Sequence, residues 1–357
     1  MKKINVLMCC SELSVKGGMV SVVKNYLNYE HWEYYRIIYV PTHTEKNKVI
    51  LAMYFLIAYV KVLFMAIFSS IKIAHLHTAE RGSFFRKAIL VRTLKKFGVK
   101  TIMHHHAAEF EEFYSNLSDK KKLYVNKTLE MTDLNIVLSQ RLVSMIKDKA
   151  PNAKVEVLYN AVPTYATNPY NQQSKNVLFL GRLGKRKGTY DLLSTIKMID
   201  LNIPSDIKFF LCGDGEIEEV KKKVKDLNLG HRIAYIGWIT EEKKEEFLHQ
   251  TCINILPSYN EGLPMSVLET MAYGIASITT NIASIPEVVF DDVNGYLVRP
   301  GDIESLSMKM MEILTNPSKR LSFSKEAHEL ITGSFSLEKH MFNLKSMYDE
   351  LVGEVND

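Results

Sequence analysis

The sequence predicts an α/β protein of two domains, each with helices wound on both faces of a parallel sheet. Three observations carry that prediction. Short apolar runs alternate with segments long enough for helices, the rhythm of successive β-α-β units. The rhythm stops at residues 160–175, NAVPTYATNPYNQQSK, where two prolines sit among many Asn, Gln, Ser and Thr residues, and then it restarts. A chain of 357 residues also suits two domains better than one.

Taken in order, the expected strands of the first domain are INVLMC (4–9), RIIYV (36–40), IKIAHLH (71–77), VKTIMHH (99–105), LNIVLS (134–139) and KVEVLY (154–159). Those of the second are NVLFLG (176–181), IKFFLC (207–212), IAYIG (233–237), INILP (253–257) and IASIT (275–279). The expected boundaries are 1–165 for the first Rossmann-like domain and 166–335 for the second. Residues 336–357 begin with SLEKHMFNLKSMYDELV, whose apolar spacing is helical, and this helix is expected to cross back onto the first domain. Doubly wound sheets bind ligands beyond the carboxyl ends of their strands, so both sets of ends can face one central cleft.

Composition excludes several classes. With 46% hydrophobic and 24% charged residues the chain is ordinary globular protein. Cys9, Cys10, Cys212 and Cys252 form no CxxC pair, so neither a disulfide framework nor a zinc site is indicated, and reduced, buried thiols are expected. The run Ile4 to Cys10 is short, contains Asn5 and precedes no small-residue cleavage site, so it reads as a buried strand rather than a signal peptide. Residues 49–68, VILAMYFLIAYVKVLFMAIF, have the length of a membrane span but contain Lys61, and charge near a bilayer centre is costly. The expectation is a helix buried in the domain or lying on a membrane surface.

Charge is uneven. Residues 1–165 hold 24 Lys and Arg against 13 Asp and Glu, a balance of +11; the whole chain is 45 − 40 = +5, which leaves −6 for residues 166–357. The basic half suits an anionic membrane face. No DNA- or RNA-binding signature accompanies it, so nucleic acid is not expected as a partner.

The chemistry concentrates in a few stretches. In NEGLPMSVLETMAYG (260–274), Glu261 lies in a loop, Gly262, Leu263, Pro264 and Met265 lead into a helix, and Glu269 falls about two turns along it. The free amides of such a helix start favour an anion, so a phosphate can sit there, with Glu269 placed for a ribose diol and Glu261 for the sugar beyond. In GRLGKRKG (181–188), Gly181 ends a strand, and Arg182 and Lys187 can clamp a diphosphate and stabilise charge growing on a leaving nucleotide. CGDGE brings Gly213 to a strand end, and SVKGGMVSVVKNYL places Gly17 and Gly18 before the first helix. That pattern is not GxGxxG, and no acidic residue follows the second strand, which speaks against a nicotinamide cofactor. The plain alternative for each stretch is a solvated loop or basic turn. Alternation along a strand sends His104, His105 and His106 to opposite faces, so the three do not converge on one metal ion; one of them can instead bond a sugar hydroxyl.

In order along residues 14–302, these motifs together with PSYNEGLPMSVLETMAYG, ASIPEVV and NGYLV resemble the retaining glycosyltransferases of the GT-B fold, family four (glycosyl transferases group 1). The first-domain version, HLHTAERGSFFRK with HHHAAEF, is most similar to enzymes of bacterial surface and capsular polysaccharide assembly. The resemblance implies a metal-independent hexosyltransferase that moves a sugar from a nucleotide-sugar, a UDP-sugar on family frequency, to a glycan or lipid-linked saccharide. It needs no cofactor, since the nucleotide-sugar is a substrate. It implies that Arg182 and Lys187 hold the pyrophosphate, Glu269 the ribose and Glu261 the donor sugar. Gly18 would face the phosphates, and His106, or His104 in its place, would be the active-site histidine. NIAS (281–284) stands where the family often carries glycines. The implied mechanism is front-side displacement, and the implied location is cytoplasmic, peripheral on the inner face of the membrane. The alternatives are a nucleotide-sugar epimerase on the same fold and a non-catalytic subunit supporting a partner transferase.

Overall fold

The structure, a computed structural model, describes residues 3–106 and 109–353. The chain divides into two compact units, residues 1–160 with 338–357, and residues 161–337. In the first, β1 (Ile4–Cys10), α1 (Gly18–Asn28), β2 (Tyr35–Pro41), α2 (Lys48–Phe68), β3 (Ile71–Thr78) and α3 (Gly82–Lys95) lead to β4 (Lys100–His105). Then come α4 (Phe110–Ser115), α5 (Asp119–Met131), β5 (Leu134–Val137), α6 (Gln140–Lys149) and β6 (Val155–Val157). The six strands form one parallel sheet in the order β2-β1-β3-β4-β5-β6. The core follows the apolar runs: Val6 to Cys10 are fully buried, as are Ile73, Ala74 and Leu76.

The second unit runs β7 (Asn176–Leu180), α7 (Thr189–Ile199), β8 (Lys208–Cys212), α8 (Ile217–Asp226), β9 (Ile233–Gly237), α9 (Glu241–His249) and β10 (Thr251–Leu256). It continues with α10 (Met265–Ala272), β11 (Ser277–Thr280), β12 (Gly295–Val298), α11 (Ile303–Thr315) and α12 (Pro317–Ser334). Its sheet is also parallel, ordered β12-β11-β10-β7-β8-β9. The polar stretch after residue 160 is strapped to this unit rather than free: Val162 N–H donates to Phe335 O (3.1 Å) and the Tyr170 hydroxyl to Cys252 O (3.1 Å).

The last helix, α13 (Leu337–Val352), packs on the first unit. His340 Nε2 meets the Tyr26 hydroxyl at 2.6 Å, and Tyr348 stacks on Trp32 with ring centroids 6.1 Å apart. Side-chain caps fix several helix starts. Asn47 accepts from Ile50 N–H (3.0 Å), and Asn316, followed by Pro317, accepts from Lys319 N–H (3.0 Å).

Three expectations change. β5 stops at Val137 because Ser139 caps α6, accepting from Leu142 N–H at 3.2 Å. β12 was not expected as a strand, since GYLV opens with glycine and is only four residues long; it is held by pairing with β11. Of the two alternatives for the apolar helix α2, burial in the domain is not met. Only Ala58, Val62 and Met65 are buried, and the opposite face is open. All four cysteines are free and buried, and burial pushes the Cys9 thiol up to about 12.

Candidate functional site

In the second unit β7 neighbours both β8 and β10, so the chain winds outward in both directions from it. The crevice at such a reversal is where doubly wound sheets bind ligands. Two of the motif loops meet there. Tyr259 N–H donates to Arg186 O (2.9 Å), and Arg186 Nη1 donates to Asn260 O (3.1 Å). At their centre Lys187 Nζ donates to Glu261 Oε1, a pair 74 residues apart in sequence, with side chains only 14% and 5% exposed. The Ser258 hydroxyl donates to the same Oε1 at 2.7 Å. Burial lowers the Lys187 pKa, and Glu261 offsets part of that.

Arg182, in the same loop as Lys187, is exposed and makes no ion pair among the described residues, so its guanidinium is available to an anion. Backbone approach is close around it. A Cβ on Gly213 would lie 1.9 Å from Gly181 O, so only glycine fits. Gly188, at φ 71° and with Pro257 O 2.0 Å from its would-be Cβ, is equally constrained.

Pro264 caps α10 rather than sitting in its first turn, and Glu269 is the fifth helical residue, closer to the start than the expected two turns. Gly262 and Leu263 bend the chain into this start, and the first amides of α10, from Met265 on, precede its i→i−4 bonds. Glu269 is held by Lys244 on α9, 3.3 Å away, and Lys244 also pairs with Glu241 at 2.7 Å. Burial raises the Glu269 carboxyl and Lys244 offsets only part. Burial alone would lower Lys244, but the two carboxylates outweigh it and hold its pKa above the usual value. Lys244 was missed from sequence because α9, EEKKEEFLH, reads as a solvated charged helix. In the loop after β11, Ala283 adopts φ 48°, a left-handed conformation that favours glycine.

In the first unit Gly17 (φ 145°) caps α1 and Gly18 opens it, both exposed. β3 and β4 pair with His77 opposite His104, and the odd and even positions bring His75, His77, His104 and His106 together on one face. His75 Nε2 meets His104 Nδ1 at 3.1 Å, His75 Nδ1 meets the Tyr348 hydroxyl at 2.7 Å, and His77 Nδ1 meets His106 Nε2 at 2.9 Å. His105 points the other way, to Asn135 Oδ1 at 3.1 Å.

The sequence reading weighed the wrong triplet for metal. It is His75, His77 and His104 whose ring nitrogens lie within 4.8 Å of one another. The rings of His75 and His77 stack at 4.4 Å and 6°, and His75 Nε2 already meets His104 Nδ1, so the arrangement is a hydrogen-bonded imidazole stack. Of the two candidate histidines, His104 is fully buried and His106 keeps partial exposure. Burial pushes the His75 and His106 imidazoles down to about 3, so both are neutral at pH 7. Glu109 is ion-paired with Arg81 at 2.9 Å; Ala107 and Ala108 lie outside the described residues.

Residues 165–330 match the family of glycosyl transferases group 1. Among curated relatives, an uncharacterized 41.2 kDa protein in a cps region of Klebsiella pneumoniae is 27% identical over 270 residues, 71% of this chain and 72% of that one. A UDP-Gal:α-D-GlcNAc-diphosphoundecaprenol α-1,3-galactosyltransferase of Escherichia coli is 27% identical over 176 residues, 48% of this chain and 45% of that one. Two solved structures show the fold over nearly the whole chain. Sucrose-phosphate synthase from Thermosynechococcus elongatus has a TM-score of 0.81 at 16% identity, covering 99% of this chain and 100% of that one. The Anabaena protein HepE, in complex with UDP and glucose, has a TM-score of 0.74 at 15% identity, covering 97% and 100%. That architecture is GT-B.

Proposed function

We propose that this chain, whose residues 165–330 match the glycosyl transferases group 1 and whose fold is GT-B, is itself a glycosyltransferase of that group. It transfers a hexose from a UDP-sugar to a glycan or lipid-linked saccharide in the assembly of a surface polysaccharide, in the cytoplasm, with retention of configuration and without a metal. The relatives in a cps region and on a diphosphoundecaprenol acceptor support the pathway class. The observation that carries the reading is the Lys187–Glu261 pair at the reversal point of the second sheet, with Arg182, which makes no ion pair among the described residues, in the same loop as Lys187.

In this reading the donor diphosphate lies against the start of α10, between Lys187 and Arg182. Glu261 orients Lys187 with one oxygen and accepts a hydroxyl of the donor sugar with the other. Glu269 accepts the ribose hydroxyls, for which Lys244 keeps it positioned and offsets part of the burial that disfavours its charge. The acceptor hydroxyl attacks the anomeric carbon on the face that the diphosphate leaves. The new carbon–oxygen bond forms as the bond to phosphate breaks, and the acceptor proton passes to a phosphate oxygen. The protein contributes charge stabilisation of the leaving group and positioning.

A thermal-shift screen against UDP-, GDP- and ADP-sugars tests this. A donor at a hundred times its dissociation constant adds about 2.7 kcal/mol of stability. The expected result is a shift with UDP-sugars, unchanged by EDTA and lost in Lys187→Ala and Glu269→Ala. A shift that disappears with EDTA, or one seen only with another base, overturns the corresponding part.

A further inference from the structure

We propose that the outward face of α2 docks on a lipid bilayer with anionic headgroups, lying in the plane of its surface. The inference rests on the first unit alone and stands whichever donor the second unit binds.

The sequence of α2 is apolar around its whole circumference, yet only one side of it is covered. Ala58, Val62 and Met65 face the sheet. Across the helix Val49, Met53, Leu56, Val60, Phe64 and Ile67 recur every three or four residues, the period of one helix face. Their exposures run from 50% at Ile67 to 71% at Val49. α3, tied to α2 by the Tyr59–Thr93 hydroxyl pair at 3.1 Å, adds exposed Ile89, and exposed Phe97 follows its end. A continuous stripe of large apolar side chains on a folded chain marks a contact surface rather than scattered exposure.

Charge identifies the occupant. Between residues 46 and 106 the chain has eleven Lys and Arg and a single acidic residue, Glu80. Lys46, Lys48, Lys61 and Lys96 are exposed. An apolar stripe flanked by lysines, with no carboxylate on the helix, fits an interface between acyl chains and anionic headgroups. A second copy of the chain fits poorly, because pairing two α2 faces would bring two basic surfaces together. Crossing the bilayer is excluded by topology: α2 connects β2 and β3, and both are paired with β1 in one sheet. The helix can lie on a membrane without leaving that sheet, but it cannot span one.

The test is flotation of the full chain with vesicles of phosphatidylcholine alone and of phosphatidylcholine with phosphatidylglycerol, at low and high salt. Binding to the anionic vesicles is expected, weakened by salt. Leu56→Glu, Val60→Glu and Phe64→Glu together should lower it at least about tenfold, and Val60→Glu alone should lower it in the same direction should the triple variant fail to fold. Leu201→Glu, at a 96% exposed position of the second unit, should bind as the parent does. Sedimentation without lipid should show a monomer. No binding to anionic vesicles, binding unaffected by Val60→Glu, or a lipid-free dimer that Val60→Glu dissociates would each overturn the proposal, the last in favour of a second copy.

Discussion

Lys187 and Glu261 stabilise each other where either alone would be a liability. Both side chains are largely buried, and a buried charge stripped of its partner costs about 3–5 kcal/mol. Lys187→Ala should therefore do two things at once. It should lower stability by about 3 kcal/mol, and it should lower kcat by about 100-fold or more through loss of charge stabilisation on the leaving group. Arg182→Ala separates the two effects. Arg182 is exposed and has no ion pair among the described residues, so its removal should cost under about 0.5 kcal/mol of stability while still lowering kcat. Urea unfolding and steady-state kinetics on both variants make the comparison, and an Arg182→Ala enzyme with parental kcat would remove Arg182 from the mechanism. The sequence displayed both loops, each a strand end followed by basic or acidic residues. It could not display their pairing, because 74 residues and the β7–β10 neighbourhood lie between the partners. Lys244 was hidden twice over: its helix reads as a solvated charged one, and its partner Glu269 lies on the next helix, across β10.

At the scale of elements, β3 and β4 form an unusual patch of sheet. Their histidines are neutral because burial opposes charge, with His75 pushed down to about 3 and His105, on the opposite face, to about 4; His340 on α13, also buried, is at about 4. The sign of the pH effect follows. An unfolded histidine titrates near 6.5, so below that pH the unfolded chain binds protons that the folded chain refuses. The stabilising contribution is complete above about pH 6.5 and is lost as pH falls toward the folded values. Each such group costs about 1.4 kcal/mol per pH unit in that window. Three together approach about 4 kcal/mol per unit toward the lower end of that window, a large share of the 5–15 kcal/mol typical of a domain. The first unit is therefore expected to lose urea stability steeply between pH 6.5 and 5, whereas most carboxylate-driven acid unfolding sets in lower. Unfolding midpoints at pH 7.5, 6.5 and 5.5 measure it, and a flat profile would mean that the histidines are hydrated in solution. Hydropathy found these strands easily, since each is an apolar run bounded by polar turns. It did not find which histidines meet, because that depends on the register that sets His77 opposite His104. It left α2 open between burial and a membrane surface, because an apolar helix reads the same whether protein or lipid covers it.

For the whole molecule the question is what each unit needs in order to fold. The second unit is continuous in sequence, residues 161–337, and its sheet, helices and polar strap all come from that segment. The first unit is not: its residues 338–357 arrive only after the second unit has been made. Met341, Leu344 and Tyr348 of α13 are fully buried, and His340 bonds both the Tyr26 hydroxyl and Tyr159 O, the latter at 2.7 Å. Burying three side chains of this size is worth about 5–9 kcal/mol, comparable to the whole stability of a domain. Without α13, His75 Nδ1 would lose the Tyr348 hydroxyl and the Tyr26–Trp32–Tyr35 cluster would open to water. A 161–337 fragment is thus expected to unfold cooperatively and still bind the nucleotide donor. A 1–160 fragment is expected to be soluble only as a loosely packed state, and a peptide of residues 337–353 added in trans should restore its near-ultraviolet circular dichroism. A 1–160 fragment that unfolds cooperatively by itself would show that α13 covers the first unit without completing its core.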